Sequence, residues 1–212
     1  MAAMVMLAAS ILPAGGVLAA DSEDACIERG IEYGKQKMYD EAIGEFNKAI
    51  AANPKSGKAY HFRATAFAYK GDLDAAVADW DRSIASDRTQ CIVYFSRGLA
   101  LYKRGSPDKA IADWTRSIKL DPKYVEAYYR RGLAYYDKDD FNKAIADFSK
   151  AITLDPDNAR KYYLKRALAY SSKGNYAKSW KDVHAIEELG DEPGPEFNDL
   201  VETLKIGSGR EK

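Results

Sequence analysis

The sequence predicts an all-α fold assembled from repeated pairs of helices. Three observations carry that prediction. A unit of 34 residues recurs five times, and its cleanest copy is Val125–Asn158. Each unit holds two runs in which small and large apolar residues are spaced by four and three, the spacing of one helix face. Cap residues and prolines stand where those runs should begin and end.

The elements follow in chain order. Residues 1–20, MAAMVMLAASILPAGGVLAA, carry no charged side chain, and charge begins abruptly at Asp21. The stretch is interrupted by Pro13 and Gly15–Gly16 and ends in small residues, which resembles a secretory signal peptide, although no Lys or Arg opens it. An uncleaved membrane anchor and a cytoplasmic chain are the alternatives, the stretch being marginal in length for a span. The five units are then Glu23–Ser56, Gly57–Gln90, Cys91–Tyr124, Val125–Asn158 and Arg160–Pro193, with Ala159 as a one-residue insertion.

Within a unit the places are numbered from its first residue. Place 4 (Cys26, Tyr60, Tyr94, Tyr128, Tyr163), place 8 (Gly30, Ala64, Gly98, Gly132, Ala167) and place 11 (Tyr33, Phe67, Leu101, Tyr135, Tyr170) define the first helix. The small residue at place 8 lets another helix come close. Place 20 (Ala42, Ala76, Ala110, Ala144, Ser179), place 24 (Phe46, Trp80, Trp114, Phe148, Val183) and place 27 (Ala49, Ser83, Ser117, Ala151, Ile186) define the second. Asp72, Ser106, Asp140 and Asn175 at place 16 are expected to cap the second helices, whereas Met38 has no group to do so. Pro54, Pro122 and Pro156 should end them. Arg88 replaces that proline in the second unit, so its turn is expected to be less sharply defined. Every unit also keeps an arginine at place 7 (Arg29, Arg63, Arg97, Arg131, Arg166) and an acid at place 23 (Glu45, Asp79, Asp113, Asp147, Asp182), predicting one salt bridge per unit. After Pro193, residues 194–206 read as a capping helix with Phe197, Leu200, Val201 and Leu204 on one side, and 207–212 as a tail.

Tyr128, Gly132, Tyr135, Ala144, Phe148, Ala151 and Pro156 together resemble the tetratricopeptide repeat signature, a likeness that extends over 23–193 and weakens in the fifth unit. The resemblance implies a right-handed α-solenoid of stacked antiparallel helix pairs, with the first helices lining a concave side. Solenoids of this kind hold protein partners, so the resemblance speaks for fold far more than for a particular function.

Composition excludes several classes. The 212 residues are 46% hydrophobic and 30% charged, a globular balance, and formal net charge is zero, so no overall field gathers nucleic acid or an acidic membrane surface. Cys26 and Cys91 fall near the starts of units two periods apart and read as free packing residues. The two histidines form no cluster with them that would hold a metal, and no cofactor motif occurs. No glycine-rich phosphate loop, nucleophile elbow or paired-histidine motif appears, which argues against an enzyme.

The groove is what is left. By the resemblance, places 5, 9 and 12 face it. They place Phe95, Leu99 and Tyr102 in the third unit and Tyr129, Leu133 and Tyr136 in the fourth, flanked by His61 and Leu164. An aromatic and aliphatic stripe of this kind suits a peptide or an amphipathic helix of another protein. The carboxylate clamp of chaperone-binding relatives needs Asn at place 9 and Lys at place 5, and neither occurs. The expected function is therefore a non-catalytic adaptor in the periplasm or outside the cell, not inserted in the membrane once the leader is cleaved. A structural assembly subunit of the cell envelope that does not use its groove is the alternative.

Overall fold

The computed structural model describes residues 22–190 and 194–207. The expected leader, residues 191–193 that end the fifth unit, and the tail beyond 207 lie outside the described residues. The described residues form eleven α-helices and no strand: α1 (Glu23–Lys35), α2 (Tyr39–Ala52), α3 (Gly57–Lys70), α4 (Leu73–Ser86), α5 (Cys91–Lys103), α6 (Pro107–Leu120), α7 (Val125–Asp137), α8 (Phe141–Leu154), α9 (Ala159–Ser172), α10 (Tyr176–Glu188) and α11 (Pro195–Gly207). Each unit is one pair of them. The insertion at Ala159 is absorbed by a short 3₁₀ turn, Pro156–Asn158, that leads directly into α9.

Close approach within a pair explains the small residue at place 8. A Cβ on Gly132 would lie 2.7 Å from the Phe148 ring, and one on Gly98 would lie 2.7 Å from Nε1 of Trp114. With Gly98 in place, Trp114 is 1% exposed and its indole N–H donates to the Phe95 carbonyl at 3.2 Å. The second unit has Ala64 here, and the indole N–H of Trp80 donates instead to Nδ1 of His61, also at 3.2 Å. The fifth unit has Ala167 opposite the smaller Val183, and both are fully buried.

The caps match the sequence at three of four places. Asp72, Asp140 and Asn175 accept from the backbone N–H of Ala75, Lys143 and Lys178, and Met38 makes no side-chain cap. Ser106 does not cap. Its φ of −115° departs from the −80° to −88° of the three capping residues, which turns the short hydroxyl away, and Pro107 alone starts α6. The turn at Arg88 is also not loosened. Asp87 accepts from the N–H and hydroxyl of Thr89 and from the Gln90 amide, at 2.8, 2.6 and 2.8 Å. Asn53 and Asp121 accept in the same way from the N–H of Lys55 and Lys123, so these turns are held by the side chain before the proline rather than by the proline.

Neighbouring units touch second helix to first helix, and the first helices also meet one another, α1 with α3, α3 with α5 and α7 with α9. Second helices show no comparable contact with one another. The stack therefore curves toward the first helices, which form its concave side.

Two polar ladders cross the unit boundaries. The five expected arginine–acid pairs all form, from Arg29–Glu45 to Arg166–Asp182, at 2.6 to 2.8 Å. Four of these arginines reach back one unit as well: Arg63 to Asn47, Arg97 to Asp81, Arg131 to the Thr115 hydroxyl and Arg166 to the Ser149 hydroxyl. Their guanidinium groups also lie over aromatic rings at places 4 and 11, as Arg131 does over Tyr128 and Tyr135. The column is thus occupied by structure rather than open to an anionic partner, and its acids are buried rather than exposed. A second ladder had no counterpart in the sequence reading. Lys70, Arg104, Lys138 and Lys173 at place 14 bond Asp40, Asp74, Asp108 and Asn142 at place 18 of the unit before.

The last apolar face is covered as expected. Phe197, Leu200 and Leu204 of α11 are buried against Ala167, Val183 and Ile186. The helix runs to Gly207, which lies against the Tyr176 ring, one residue beyond the expected end of the cap at 206. Among the described residues no helix is long and apolar enough to cross a membrane.

Candidate functional site

The eight residues expected on the groove fall into different environments. Phe95 is 7% exposed and packs edge-on against Tyr124 at 4.8 Å, so it belongs to the core between units. His61 is half-buried as the hydrogen-bond acceptor of Trp80, and that burial lowers its pKa. Tyr129 stands between the rings of Phe148 and Tyr162, with Lys161 over it, and burial raises the pKa of its hydroxyl.

Tyr102 and Tyr136 form a ladder of their own along the first helices. The Tyr102 hydroxyl bonds Asp137 and its ring lies 5.8 Å from that of Trp114. Burial first, and then the Asp137 carboxylate, push that hydroxyl up to about 12. The Tyr136 hydroxyl meets that of Ser172 at 3.2 Å and its ring packs edge-on to Phe141. Each tyrosine at place 12 thus joins its unit to the next through place 13. Leu99 and Leu133 are half-buried beside them, and Leu164 packs against the cap cluster. The stripe is continuous in sequence, but most of its rings are engaged by their neighbours.

An opening lies one unit earlier. Place 12 is Ala68 in the second unit, and among the described residues no aromatic at that place packs toward Trp80 as Tyr102 does toward Trp114. The result is a cleft of about 410 Å³ whose lining is mainly apolar. Ala68, Leu73 and Trp80 line it from the second unit and Leu99 and Ala100 from the third, with Tyr69, Lys103 and Arg130 at its rim. Tyr69 is 70% exposed and stacks on Tyr39 with centroids 5.4 Å apart and planes within 6°. The Arg130 guanidinium is steadied by Glu126 at 2.8 Å. Of the eight expected residues only Leu99 lines this cleft. The other residues that line the cleft escaped the sequence reading because they are signalled by a loss of volume at place 12, where Gly34 and Ala68 precede Tyr102 and Tyr136.

The cleft has no nucleophile set against a base. Thr65, its one alcohol besides Ser96, back-bonds to the His61 carbonyl within α3. The chemistry on offer is burial of an apolar group, with cationic side chains at the edge.

Three repeat-family models match the chain. Two described as tetratricopeptide repeat match 27–90 and 125–158, and one described as TPR repeat matches 98–139, so that together they span more than half of it. Among solved structures the chain is similar to the MamA protein, with 22% identity, 82% of this chain and 98% of that chain covered, and a TM-score of 0.70. It is also similar to YrrB, described as a TPR protein with an unusual peptide-binding site, at 14% identity, 91% and 94% coverage and a TM-score of 0.69. A third similar structure is pilF of Pseudomonas aeruginosa, at 20% identity, 89% and 85% coverage and a TM-score of 0.73. At these identities the likeness is one of fold. No curated protein sequence matches the chain.

Proposed function

The chain is a tetratricopeptide repeat protein, and from that premise we propose that it is a non-catalytic adaptor that holds a peptide or helical segment of another protein on its concave face. The observation that carries this reading is the apolar cleft of about 410 Å³ between the second and third units, open where Ala68 stands in place of a tyrosine. A cleft of that size accepts one or two large side chains of a partner, which is how a few anchors dominate binding at protein interfaces. The peptide-binding description of YrrB agrees with an adaptor role without identifying a partner for this chain. The tyrosine ladder of Tyr102 and Tyr136, with Tyr129, Leu133 and Leu164, forms the floor on which a longer segment would continue toward the fourth and fifth units.

The test is to fill the cleft with a residue the fold already accepts. Ala68→Tyr recreates at the second unit what Tyr102 and Tyr136 are at the third and fourth. A photo-crosslinking residue at Leu99 should capture a partner in cells in the wild-type background and lose it with Ala68→Tyr, while helicity and mass in solution stay unchanged. Equal capture in both backgrounds would remove the cleft from the function. If export is correct, the adaptor works in the periplasm or outside the cell, and sequencing the N-terminus of the mature protein decides this. A chain that still starts at Met1 or Ala2 refutes cleavage.

A further inference from the structure

The rim of the cleft narrows the chemistry of its partner. We infer that, if the adaptor reading holds, the cleft takes a segment in which a large apolar side chain is accompanied by an internal acidic residue. The apolar half of the inference rests on the floor. Leu73 and Leu99 are half-buried at the opening with Trp80 buried behind them, so an entering side chain covers apolar surface that the fold leaves to water. Tyr69 adds one open ring face beside it, since its other face is stacked on Tyr39. A ring or a branched aliphatic group fits such a place better than an extended polar chain.

The acidic half rests on charge. Four cations at place 14 are each bonded to the preceding unit, and four arginines at place 7 are each bonded twice over. Lys103 stands apart from both sets. It ends α5 at place 13, is exposed, and has no acidic partner among the described residues, while Asp137 occupies the same place one unit on and is bonded to Tyr102. Across the opening Arg130 presents a guanidinium, held in position by Glu126 and 44% exposed. The cleft itself is lined by no carboxylate. The uncompensated charge at its mouth is therefore that of Lys103, in a chain with zero net charge, and a carboxylate beside the anchor would meet Lys103, with the Glu126-paired Arg130 offering its remaining N–H groups as donors. A free C-terminus is not required, because no asparagine at place 9 is available to bond both of its oxygens.

Short peptides capped at both ends, each with one Trp, Phe or Leu anchor and one Glu at varied spacing, serve as probes. Twins carry Lys in place of Glu. Binding is read from the fluorescence of a dye on the peptide. At least one acidic peptide should bind the wild-type protein more tightly than its Lys twin, and the preference should fade with added salt. Lys103→Glu should reduce or reverse it several-fold without loss of helicity, because Lys103 supports nothing in the fold. Ala68→Tyr should abolish binding of both twins. If Glu and Lys twins bind equally and Ala68→Tyr removes both, the charge inference is overturned and the adaptor reading stands. If Ala68→Tyr leaves binding intact, or no capped peptide binds at all, the cleft is not the site and both fall.

Discussion

Replacing Arg131 by alanine should test the force that holds the stack together. Its Nε and Nη2 donate to the two oxygens of Asp147, both at 2.8 Å, and Nη1 donates to the Thr115 hydroxyl of the preceding unit at 3.0 Å. The Arg131 side chain is 16% exposed and that of Asp147 is 8% exposed, so water replaces little of what is lost. At an effective dielectric constant near that of partly buried sites, two charges at this range attract by about 4 kcal/mol. Breaking one side of a buried pair costs about 3–5 kcal/mol, because the other charge is stranded. Residual exposure moves the expectation to the lower end, about 3 kcal/mol at neutral pH.

The pH dependence supplies an independent sign. Burial outweighs the pull of Arg131 and already holds the Asp147 carboxyl above its ordinary value. Without Arg131 it must rise further. A carboxyl raised by folding favours the folded state at low pH, where it is protonated in both states, and that favour is lost as pH rises through its folded value. The cost of Arg131→Ala should therefore be smaller at about pH 4 than at about pH 7. Urea unfolding followed by circular dichroism at both pH values measures it, with NMR titration of the Asp147 carboxyl as a second readout. A loss below about 1 kcal/mol at neutral pH, or an equal loss at both, would refute the reasoning. The first unit is the internal control. Arg29 is 38% exposed, and Arg29→Ala should cost about 1 kcal/mol or less.

Five other substitutions probe the packing and the cleft. Ser83 and Ser117 bury hydroxyls that find no partner, where the first and fourth units have Ala49 and Ala151. Ser117→Ala should raise stability by about 1 kcal/mol, seen as a higher urea midpoint with unchanged slope. Gly132→Ala drives a methyl into the buried Phe148 ring and should cost about 1 kcal/mol net of its helix propensity. Gly44→Ala, where an added Cβ meets nothing within 4 Å, should gain up to about 1 kcal/mol in the same assay. His61 is held neutral by burial, so its contribution is present above its ordinary value of about 6.5 and is lost as pH falls through its lowered folded value. His61→Gln keeps an acceptor for Trp80 and should flatten that acid-side slope of the thermal midpoint. Tyr102→Ala removes the lid over Trp114 and the bond to Asp137. It should lower stability yet retain binding of the capped acidic peptides, whereas a site made of the tyrosines themselves requires binding to be lost.

The fold was legible because each unit repeats the same local decisions. Gly or Ala at place 8 and the large residue at place 24 form one contact made several times, and its period appears in the sequence before any coordinate does. The arginine–acid pairs were legible for the same reason. What escaped was set by short-range geometry at single residues. Asp87 holds a turn that the missing proline seemed to loosen, and Ser106 carries the right residue type at a backbone angle that turns it aside. The place-14 ladder was legible in principle, as a cation 30 residues after each of Asp40, Asp74 and Asp108.

The site was hardest to read because a solenoid reverses an ordinary inference. Subtracting the packing residues from a repeat leaves its large variable side chains, and those seem available to a partner. In a stack each unit offers its leftover ring to the unit that follows. Tyr102 and Tyr136 are claimed in that way by Asp137 and Ser172, and Tyr129 by Tyr162. An unclaimed surface arises where the expected ring is missing, because a cleft then opens beside the aromatic of that unit, although the aromatic itself stays buried. Ala68 over Trp80 is that place, and the uncompensated Lys103 lies at its edge. In such a chain a candidate binding residue is sought by asking which unit has lost volume relative to its sisters, and which charge has lost the partner its place would otherwise supply.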